Sequence, residues 1–427
     1  MTGIDLGAAR DENPGVIPVR EALDLVLGRV RPGPAETIPL DLALGRVLAA
    51  DVVAGIALPP FPNSQMDGYA VRASDLSGAG AGPPARLRVV GVAAAGRVEP
   101  IEVGPGTAVR IMTGAPMPPG ADAVVRQEDA QREGESVVVR VSPRPGEFVR
   151  PLGEDVRAGE TVLSRGRLLG AADVGLLAAV GRAMAGVAVR PRVAILSTGD
   201  EVVAPGEPLP PGCIYNSKAW ALAAACREVG AEPVVLPIAR DDRRALAESI
   251  AHAAAFDVAL SIGGVSVGDF DHVKEAIAAI GLERVFWRVA QKPGKPLVFA
   301  EREGRLFFGL PGNPVSALVC FDLYVAPALR MRLGSSTPFA PCEEVEVGAD
   351  VATAPGLTEF VRCTLSPSRG RPLALPTAHQ GSGALRSLAR ADALVVSPPG
   401  EDRLASGSLA RAILLGASRP LAAAPPF

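Results

Sequence analysis

Between residues 190 and 333 the sequence alternates short apolar runs with helix-period segments, and this alternation constrains the fold more than any other feature. The apolar runs are Val193–Leu196, Val234–Ile238 and Val258–Ile262, and the helical segments are 218–229, 242–255 and 271–280. Further strands are predicted at 285–289, 297–300 and 306–309, followed by a long helix from residue 314. Such alternation predicts a mostly parallel α/β sheet, in which ligands bind at the carboxyl ends of the strands.

The flanking segments have other periodicities, so a chain of 427 residues is expected to form several domains. Residues 17–30 and 171–181 have helical patterns, and 39–54 predict a second helix or a helix-to-strand transition. Short alternating runs between Gly and Pro turns predict an inserted β module and a β-rich C-terminal part. The predicted boundaries are 15–54 with 147–185 for a discontinuous N-terminal domain, 55–146 for the β module, 186–333 for the α/β domain and 334–427 for the C-terminal β domain.

Charge and composition argue against two classes of binding partner, nucleic acids and membranes. The formal net charge is −3, and no basic cluster is long enough for a nucleic-acid track. The apolar run 168–189 contains Asp173 and Arg182, which disfavours a membrane span, and the first residues lack signal-peptide features. The five cysteines show no CxxC spacing, so free thiols are expected. We therefore expect a cytoplasmic protein with neither a nucleic-acid nor a membrane partner.

Three predicted strands of the α/β domain end in polar, glycine-containing turns. The turns are Ser197-Thr198-Gly199-Asp200-Glu201, the segment 263–271 and Gly309-Leu310-Pro311-Gly312-Asn313-Pro314. Exposed N–H groups before a helix suit phosphate, and Asn313 and Pro314 are a natural N-cap and first helical residue. The same turns also suit plain capped connections. The GxxxxGK[ST] signature is absent from the sequence, so a phosphate-bearing ligand would be bound in a less common way.

Lysine is rare, and its placement is informative. Of 43 basic residues only four are lysine, namely Lys218, Lys274, Lys292 and Lys295. Two of them lie in the loop Lys292-Pro293-Gly294-Lys295-Pro296. Lysine is a compact, mobile point charge, whereas arginine is a planar fork. This loop is therefore predicted to touch small anionic groups in a tight space.

Carboxylates are concentrated near these turns and in one N-terminal loop. They are Asp67, Asp155, Asp200, Glu201, Asp241, Asp242, Asp269 and Asp271. Several carboxylates beside phosphate indicate a hard cation such as Mg²⁺. Helix capping explains Asp271, Asp241 and Asp242 equally well. The segment 61–70, which holds Asp67, has polar amides, a carboxylate and little periodicity, as functional loops do.

Seven motifs, taken together and in this order, resemble the molybdopterin molybdenumtransferase family, which includes MoeA and the E domain of gephyrin. They are FPNSQMDGYA, RIMTGAPMPPGADAVV, LGED, STGDEV, GGVSVGDFD, KPGKP and LPGNPVSAL. The resemblance runs from about residue 15 to 333 and continues more weakly to the end. It implies a multidomain α/β plus β fold with a MogA-like, mostly parallel sheet. It also implies an elongated N-terminal region with the inserted β module, and a C-terminal β-barrel-like domain.

The resemblance also implies an activity. The family inserts molybdate into adenylylated molybdopterin, with Mg²⁺-dependent release of AMP, in molybdenum cofactor biosynthesis. It implies a homodimer whose cleft lies between one subunit's α/β domain and the partner's β module. Molybdopterin adenylyltransferase and acceptor molybdoenzymes are the further partners expected.

Site residues are carried over one by one. The catalytic groups implied are Asp67, Asp155, Glu201, Arg288 and Lys292. The substrate-binding groups implied are Thr113, Arg150, Asp241, Ser266, Asp271, Lys295, Pro311, Asn313, Pro314 and Ser382. The metal ligands implied are Glu201, Asp241 and Asp271.

Two positions depart from the family pattern. Arg288 stands where a second lysine is common, and Pro62 where an aspartate is usual.

Two other functions stay open. A related α/β domain occurs in the adenylyltransferase that makes the substrate, although the β modules and the loop around Asp67 argue against that activity. A cofactor-binding scaffold without chemistry is the other alternative.

Overall fold

At the centre of the structure, a computed structural model that describes residues 15–97, 100–240, 242–263, 276–368 and 370–416, lies a six-stranded sheet. Its strands, in spatial order, are Glu232–Val235, Arg192–Ser197, Val258–Ile262, Arg305–Leu310, Pro296–Arg302 and Glu283–Arg288. The first four run parallel, and the last two are antiparallel to their neighbours. The predicted mostly parallel α/β sheet is confirmed.

Alternate residues of the central strands face two separate cores. Val193 and Ile195 point into one core, which also holds helix Ser217–Glu228 and the helical segments from residue 314 to 332. Ala194 and Leu196 point into the other, against helix Arg243–Ala253. Because both faces are covered, these strands read as continuous apolar runs rather than as alternating ones.

The last helical stretch of this domain has three parts, Pro314–Cys320, the π-helical turn Phe321–Val325, and Ala326–Arg332. Its length and composition would allow a membrane span, but 67% of its apolar window is buried within the fold, as in a core helix. Helix Val19–Leu27 packs on this stretch and buries Ala22 and Val26 in the same core.

The segments before and after the β module share one small core. Ala35–Pro39 pairs with Met184–Ala188, Val52–Val53 pairs with Thr161–Leu163, and helix Ala171–Ala179 covers them. Of the two alternatives for 39–54, the second helix is wrong, and the segment passes instead from a helical turn to the strand Val52–Val53. A single 3-10 turn, Leu40–Leu42, stands there, with Gly45 at a φ of 71° ending any helical path.

The β module is a six-stranded mixed sheet with an apolar core on each face. Its strands, in spatial order, are Ala123–Arg126, Gly68–Val71, Thr107–Ile111, Ala85–Ala93, Ser136–Val139 and Ala130–Glu133. The two-residue strands Asn63–Ser64 and Val149–Arg150 pair at its base.

The C-terminal part is a closed five-stranded barrel. Its strands are Cys342–Val347, Thr358–Ser366, Leu373–Pro376, Ala393–Ser397 and Leu409–Leu414. Thr358–Ser366 closes the barrel because it pairs with strands on both sides. The barrel-like C-terminal domain that was expected is confirmed. All five cysteines are free.

One half-buried acid gives the α/β domain a pH-dependent stability. Burial raises the pKa of Asp322 to about 7, and the attraction of Arg330 offsets this only in part. A raised folded-state pKa means that folding opposes ionisation. The contribution of Asp322 to the free energy of unfolding is therefore fully present below the ordinary aspartate pKa. It is lost as the pH rises through about 7.

Asp322→Asn should remove this penalty. We expect the variant to be more stable than the unmodified protein by on the order of 2 kcal/mol at about pH 8, with no difference near pH 4. Urea unfolding at both pH values measures this. Asp24→Asn, at an exposed aspartate of helix Val19–Leu27, is the control and should show no such gain. An equal effect of Asp322→Asn at both pH values would contradict the assignment.

Candidate active site

The turns at the carboxyl ends of three parallel strands touch one another. The Thr198 N–H donates to the Ile262 carbonyl at 3.2 Å, and the Gly263 N–H donates to the Leu310 carbonyl at 3.3 Å. Gly263 has a φ of 88°, and a Cβ there would lie 3.1 Å from Thr198 Oγ1. Glycine is therefore required where these turns approach, and the turns form one continuous surface.

Glu201 lies at this surface beside a buried lysine. Its carboxylate folds over Gly199, where an added Cβ would come within 2.4 Å of Oε2. Lys218 is only 7% exposed. Burial lowers the pKa of its ammonium group, although the charge of Glu201 acts in the opposite direction. No role was predicted for Lys218, and the rarity of lysine was the one signal in the sequence that pointed to it.

The helix that begins at Pro314 is capped from the barrel. Asn313 is its N-cap and Pro314 its first residue, as predicted. The Asn313 side chain does not bond its own helix; instead Nδ2 donates to Ser382 Oγ at 2.9 Å. The Val315 N–H donates to the Ser382 carbonyl at 3.1 Å. The predicted residues Asn313, Pro314 and Ser382 are thus brought together, with Pro311 buried behind them.

The lysine loop lies at the same edge for a topological reason. Strand Pro296–Arg302 runs antiparallel to Arg305–Leu310, so its first residues stand beside the last residues of that neighbour. Arg288, at the end of its own strand, pairs with Pro296. Arg288, Lys292 and Lys295 therefore belong to the same edge as the turns. Lys292 is exposed, and the other two are half-buried.

Lys292 has a partner that the sequence analysis missed. Lys292 Nζ lies 3.1 Å from Oε1 of Glu359, a residue of the barrel that is 5% exposed. The Ala354 N–H also donates to that oxygen at 2.6 Å. The backbone supports the pair, because Gln291–Lys292 runs parallel to Thr358–Glu359. Glu359 sits among apolar residues of a strand, and nothing in the sequence linked it to the distant lysine.

A buried polar network fixes the lysine loop from behind. Gln291 is fully buried, and its Nε2 donates to the Pro293 carbonyl at 3.1 Å. The Tyr324 hydroxyl donates to Gln291 Oε1. A Cβ on Gly294 would lie 2.6 Å from Cys320 Sγ, so only glycine fits there. The loop is thus held in one conformation before any ligand arrives.

Arg362 is a second feature that the sequence analysis missed. It is fully buried in the barrel and holds the segment before Ser382, since Nη2 donates to the carbonyls of His379 and Gly381 at 2.9 and 3.1 Å. Nε donates to Ser387 at 3.0 Å, and Nη1 has no hydrogen-bond partner. Burial lowers the pKa of this guanidinium. The barrel therefore brings a buried cation with a free donor close behind Ser382.

Asp67 and Thr113 meet on the β module. Asp67 Oδ1 accepts hydrogen bonds from Thr113 N at 2.7 Å and from Thr113 Oγ1 at 2.8 Å. These two bonds, with a smaller effect of Arg110, lower the pKa of the Asp67 carboxyl. Only glycine fits at the neighbouring position 68, because a Cβ there would lie 1.9 Å from the Val125 carbonyl oxygen. Asp67 and Thr113 thus form one exposed pair, in which the Asp67 carboxylate is ionised.

Arg150 and Asp155 lie at the base of the same module. Arg150 pairs in backbone register with Asn63, and the Asp155 N–H donates to the Leu58 carbonyl at 2.9 Å. Both side chains are exposed. Among the described residues, no hydrogen bond or ion pair joins these groups or Asp67 to the α/β edge. Within one chain the predicted residues therefore form two separate groups.

Three predicted residues, Asp241, Ser266 and Asp271, lie outside the described residues, so their assignment stays a prediction. Across the described ranges, no three His, Cys, Asp or Glu side chains are grouped closely enough to hold a metal ion. Glu201 is the one predicted metal ligand that the structure places.

Three family models match consecutive parts of the chain. They are described as "MoeA N-terminal region (domain I and II)" over residues 17–181, "Probable molybdopterin binding domain" over 194–331 and "MoeA C-terminal region (domain IV)" over 344–415. The architecture of β module, α/β sheet and barrel is thus that of one known class of protein.

Individual relatives agree. The chain is 41% identical to molybdopterin molybdenumtransferase 2 of Mycobacterium tuberculosis, covering 87% of this chain and 93% of that protein. It is 35% identical to the Bacillus subtilis molybdopterin molybdenumtransferase, covering 93% and 94%. The crystal structure of a molybdopterin biosynthesis MoeA protein from Pyrococcus horikoshii superposes with a TM-score of 0.81 at 34% identity, covering 93% and 99%. The chain belongs to the molybdopterin molybdenumtransferase family, a family of transferase enzymes.

The Asp67–Thr113 contact predicts a titration shift. Thr113→Val removes the hydroxyl donor but keeps the backbone donor, so the pKa of Asp67 should rise toward the ordinary aspartate range. Carboxyl-carbon NMR titration measures this. Thr107→Val is the matched control, since its hydroxyl bonds the Gly104 carbonyl in the same module. An unshifted Asp67 in the Thr113 variant would rule out the hydroxyl as a cause.

Proposed function

We propose that this enzyme inserts molybdate into adenylylated molybdopterin and releases AMP in a Mg²⁺-dependent reaction. The observation that carries the proposal is the convergence of cationic groups from two domains on one sheet edge. Lys292, Lys295 and Arg288 come from the α/β domain, and Arg362 comes from the barrel. The relatives named above as molybdopterin molybdenumtransferases give the reaction class.

The molybdate subsite fits the junction between the lysine loop and the barrel. The Lys292 side chain is 54% exposed, and an ammonium group has three N–H donors, so the contact with Glu359 leaves donors for an oxyanion. Ser382 supplies a hydroxyl, and the buried Arg362, which bonds the neighbouring Gly381 carbonyl, supplies a positive charge behind it. An uncompensated buried guanidinium is costly, and a bound oxyanion would offset that cost.

The Mg²⁺ subsite fits the turn that holds Glu201. Its carboxylate is exposed at the edge, and carboxylate oxygen is the donor that a hard cation takes. We assign Glu201, Asp241 and Asp271 as the residues that hold the ion. Bound there, the ion would neutralise charge on the adenylate phosphates.

The remaining groups position the substrate rather than attack it. Cleavage of a phosphoanhydride depends on alignment and charge stabilisation more than on a strong base. The Thr113 hydrogen bonds keep Asp67 ionised, which suits it to hold donor groups of the pterin or to orient a nucleophile. Asp155 and Arg150 would extend that surface.

A homodimer would unite the two groups of residues. Asp67 has no contact with the α/β edge of its own chain among the described residues, so we propose that the partner subunit's β module faces this edge. Closed two-fold dimers give two equal composite clefts of this kind. Exchange with a molybdopterin adenylyltransferase, transfer to acceptor molybdoenzymes and a cytoplasmic location stay predictions.

Removal of the lysine charge should abolish turnover. Lys292→Ala is expected to lower molybdate-dependent AMP release by about a hundredfold or more, since a preorganised charge is lost. Lys292→Arg should recover part of the rate if charge alone matters. Glu135→Gln, which also removes one charge but at an exposed carboxylate of the β module, is the control for the effect of a surface substitution away from the site. Near-normal AMP release by Lys292→Ala would reject the subsite.

The same assay separates the alternatives. AMP release that requires both Mg²⁺ and molybdate supports the proposal. Formation of the adenylate from ATP and molybdopterin would instead identify an adenylyltransferase. Tight binding of the adenylate without AMP release would identify a scaffold.

Mixing two inactive variants tests the composite cleft. Asp67→Ala and Lys292→Ala chains, unfolded together and refolded in equal amounts, should regain about a quarter of the normal activity, since half the dimers carry one intact cleft. Each variant refolded alone is the control. A mixture that stays inactive would place Asp67 and Lys292 of one chain in the same site.

A further inference from the structure

A second basic site lies on the opposite side of the α/β sheet. A cavity of about 340 Å³ is bounded by the N-terminal region on one side and the α/β domain on the other. Arg190 precedes strand Arg192–Ser197, and Gly230 precedes strand Glu232–Val235, so the cavity is at the amino edge of the sheet. The candidate active site is at the carboxyl edge. We call this space the arginine cavity.

Four arginine residues line the arginine cavity, and they come from different parts of the chain. They are Arg46, Arg190, Arg227 and Arg330, and Glu228 is the carboxylate that lines it with them. The whole chain has a formal net charge of −3, whereas the cavity lining holds four arginines against one glutamate. Like charges in a confined, partly desolvated space repel one another, and a bound anion would relieve that repulsion.

Backbone carbonyls hold three of these arginines in place. Arg46 Nη2 donates to the Ala188 carbonyl at 2.8 Å, and Arg330 Nη1 donates to the Pro338 carbonyl at 3.1 Å. Arg190 Nη1 donates more weakly to the Gly230 carbonyl at 3.4 Å. Each contact uses a fraction of the five N–H donors of a guanidinium, so donors remain for a ligand.

The excess charge comes mainly from two of the four residues. Arg46 pairs with Glu36, and Asp322 acts on Arg330. In the described part of the chain, neither Arg190 nor Arg227 forms an ion pair with a carboxylate. Arg227 lies in the last turn of its helix, where a cation is favourable on its own account. That explanation does not extend to Arg190, which precedes a strand.

We propose that the arginine cavity binds a small anion carrying at least two negative charges on phosphate groups. Guanidinium forks match phosphate oxygens in pairs, and the volume falls within the range of small-ligand sites. Arg46 belongs to the N-terminal region, and the other three belong to the α/β domain. A bound phosphate therefore tightens the joint from which the β module extends.

Titration of the full-length protein with inorganic pyrophosphate tests the proposal. Binding is followed by calorimetry and by the rise in Tm that a ligand selective for the folded state produces. Arg190→Gln with Arg227→Gln should weaken binding by about tenfold or more. The Arg227→Gln single variant, at an exposed side chain, gives a weaker loss and guards against misfolding of the double variant. Arg20→Gln, at an exposed arginine with a helical partner, should bind normally.

The carboxyl-edge site also suits anions, so the titration is repeated on Lys292→Ala. Pyrophosphate binding that persists in Lys292→Ala and is lost in the double variant supports the arginine cavity. Unchanged affinity in the double variant, loss of all binding in Lys292→Ala, or no binding to the unmodified protein at millimolar pyrophosphate would each overturn it. Glucose 6-phosphate, tested in parallel, distinguishes a preference for phosphate esters from one for inorganic anions.

Discussion

The parallel register of three neighbouring strands determines where the chemistry of this protein lies. Arg192–Ser197, Val258–Ile262 and Arg305–Leu310 are hydrogen-bonded side by side and end at a common edge. Parallel strands must end together in this way, so their turns meet although they are far apart in sequence. The antiparallel strand Pro296–Arg302 starts at the same edge, so the lysine loop that precedes it lies there too. The positions of Glu201, Asn313 and Lys292 all follow from that one sheet.

Much of this arrangement could be predicted from the sequence, because it depends on local patterns. Apolar runs of four or five residues located the strands, and polar glycine turns located their ends. Asn313 followed by Pro314 marked a helix start that the structure confirms. The pattern of 39–54 allowed either a second helix or a helix-to-strand transition and did not decide between them. Leu42 and Leu44 are 60% and 64% exposed beside a left-handed glycine.

Other contacts could not be predicted, because they join distant segments through folded strands. Glu359 meets Lys292 only because a short parallel ladder brings the barrel to the lysine loop. Arg362 reads in the sequence as one of many arginines within a strand, and its full burial depends on the barrel closing around it. In both cases the signal lies in three-dimensional proximity, and a single sequence contains no record of it.

The barrel's attachment has a consequence for how the chain could be shortened. Val315 and Val319 of the last α/β helix form an apolar cluster with Phe360 and Leu394 of the barrel. A chain that stopped near residue 333 would keep both cores of the sheet but expose this helix face to water. It would also leave the Val315 N–H without its acceptor, the Ser382 carbonyl. Lys292 would lose Glu359, its ion-pair partner. The barrel therefore covers one face of the α/β domain and belongs to its stable structure.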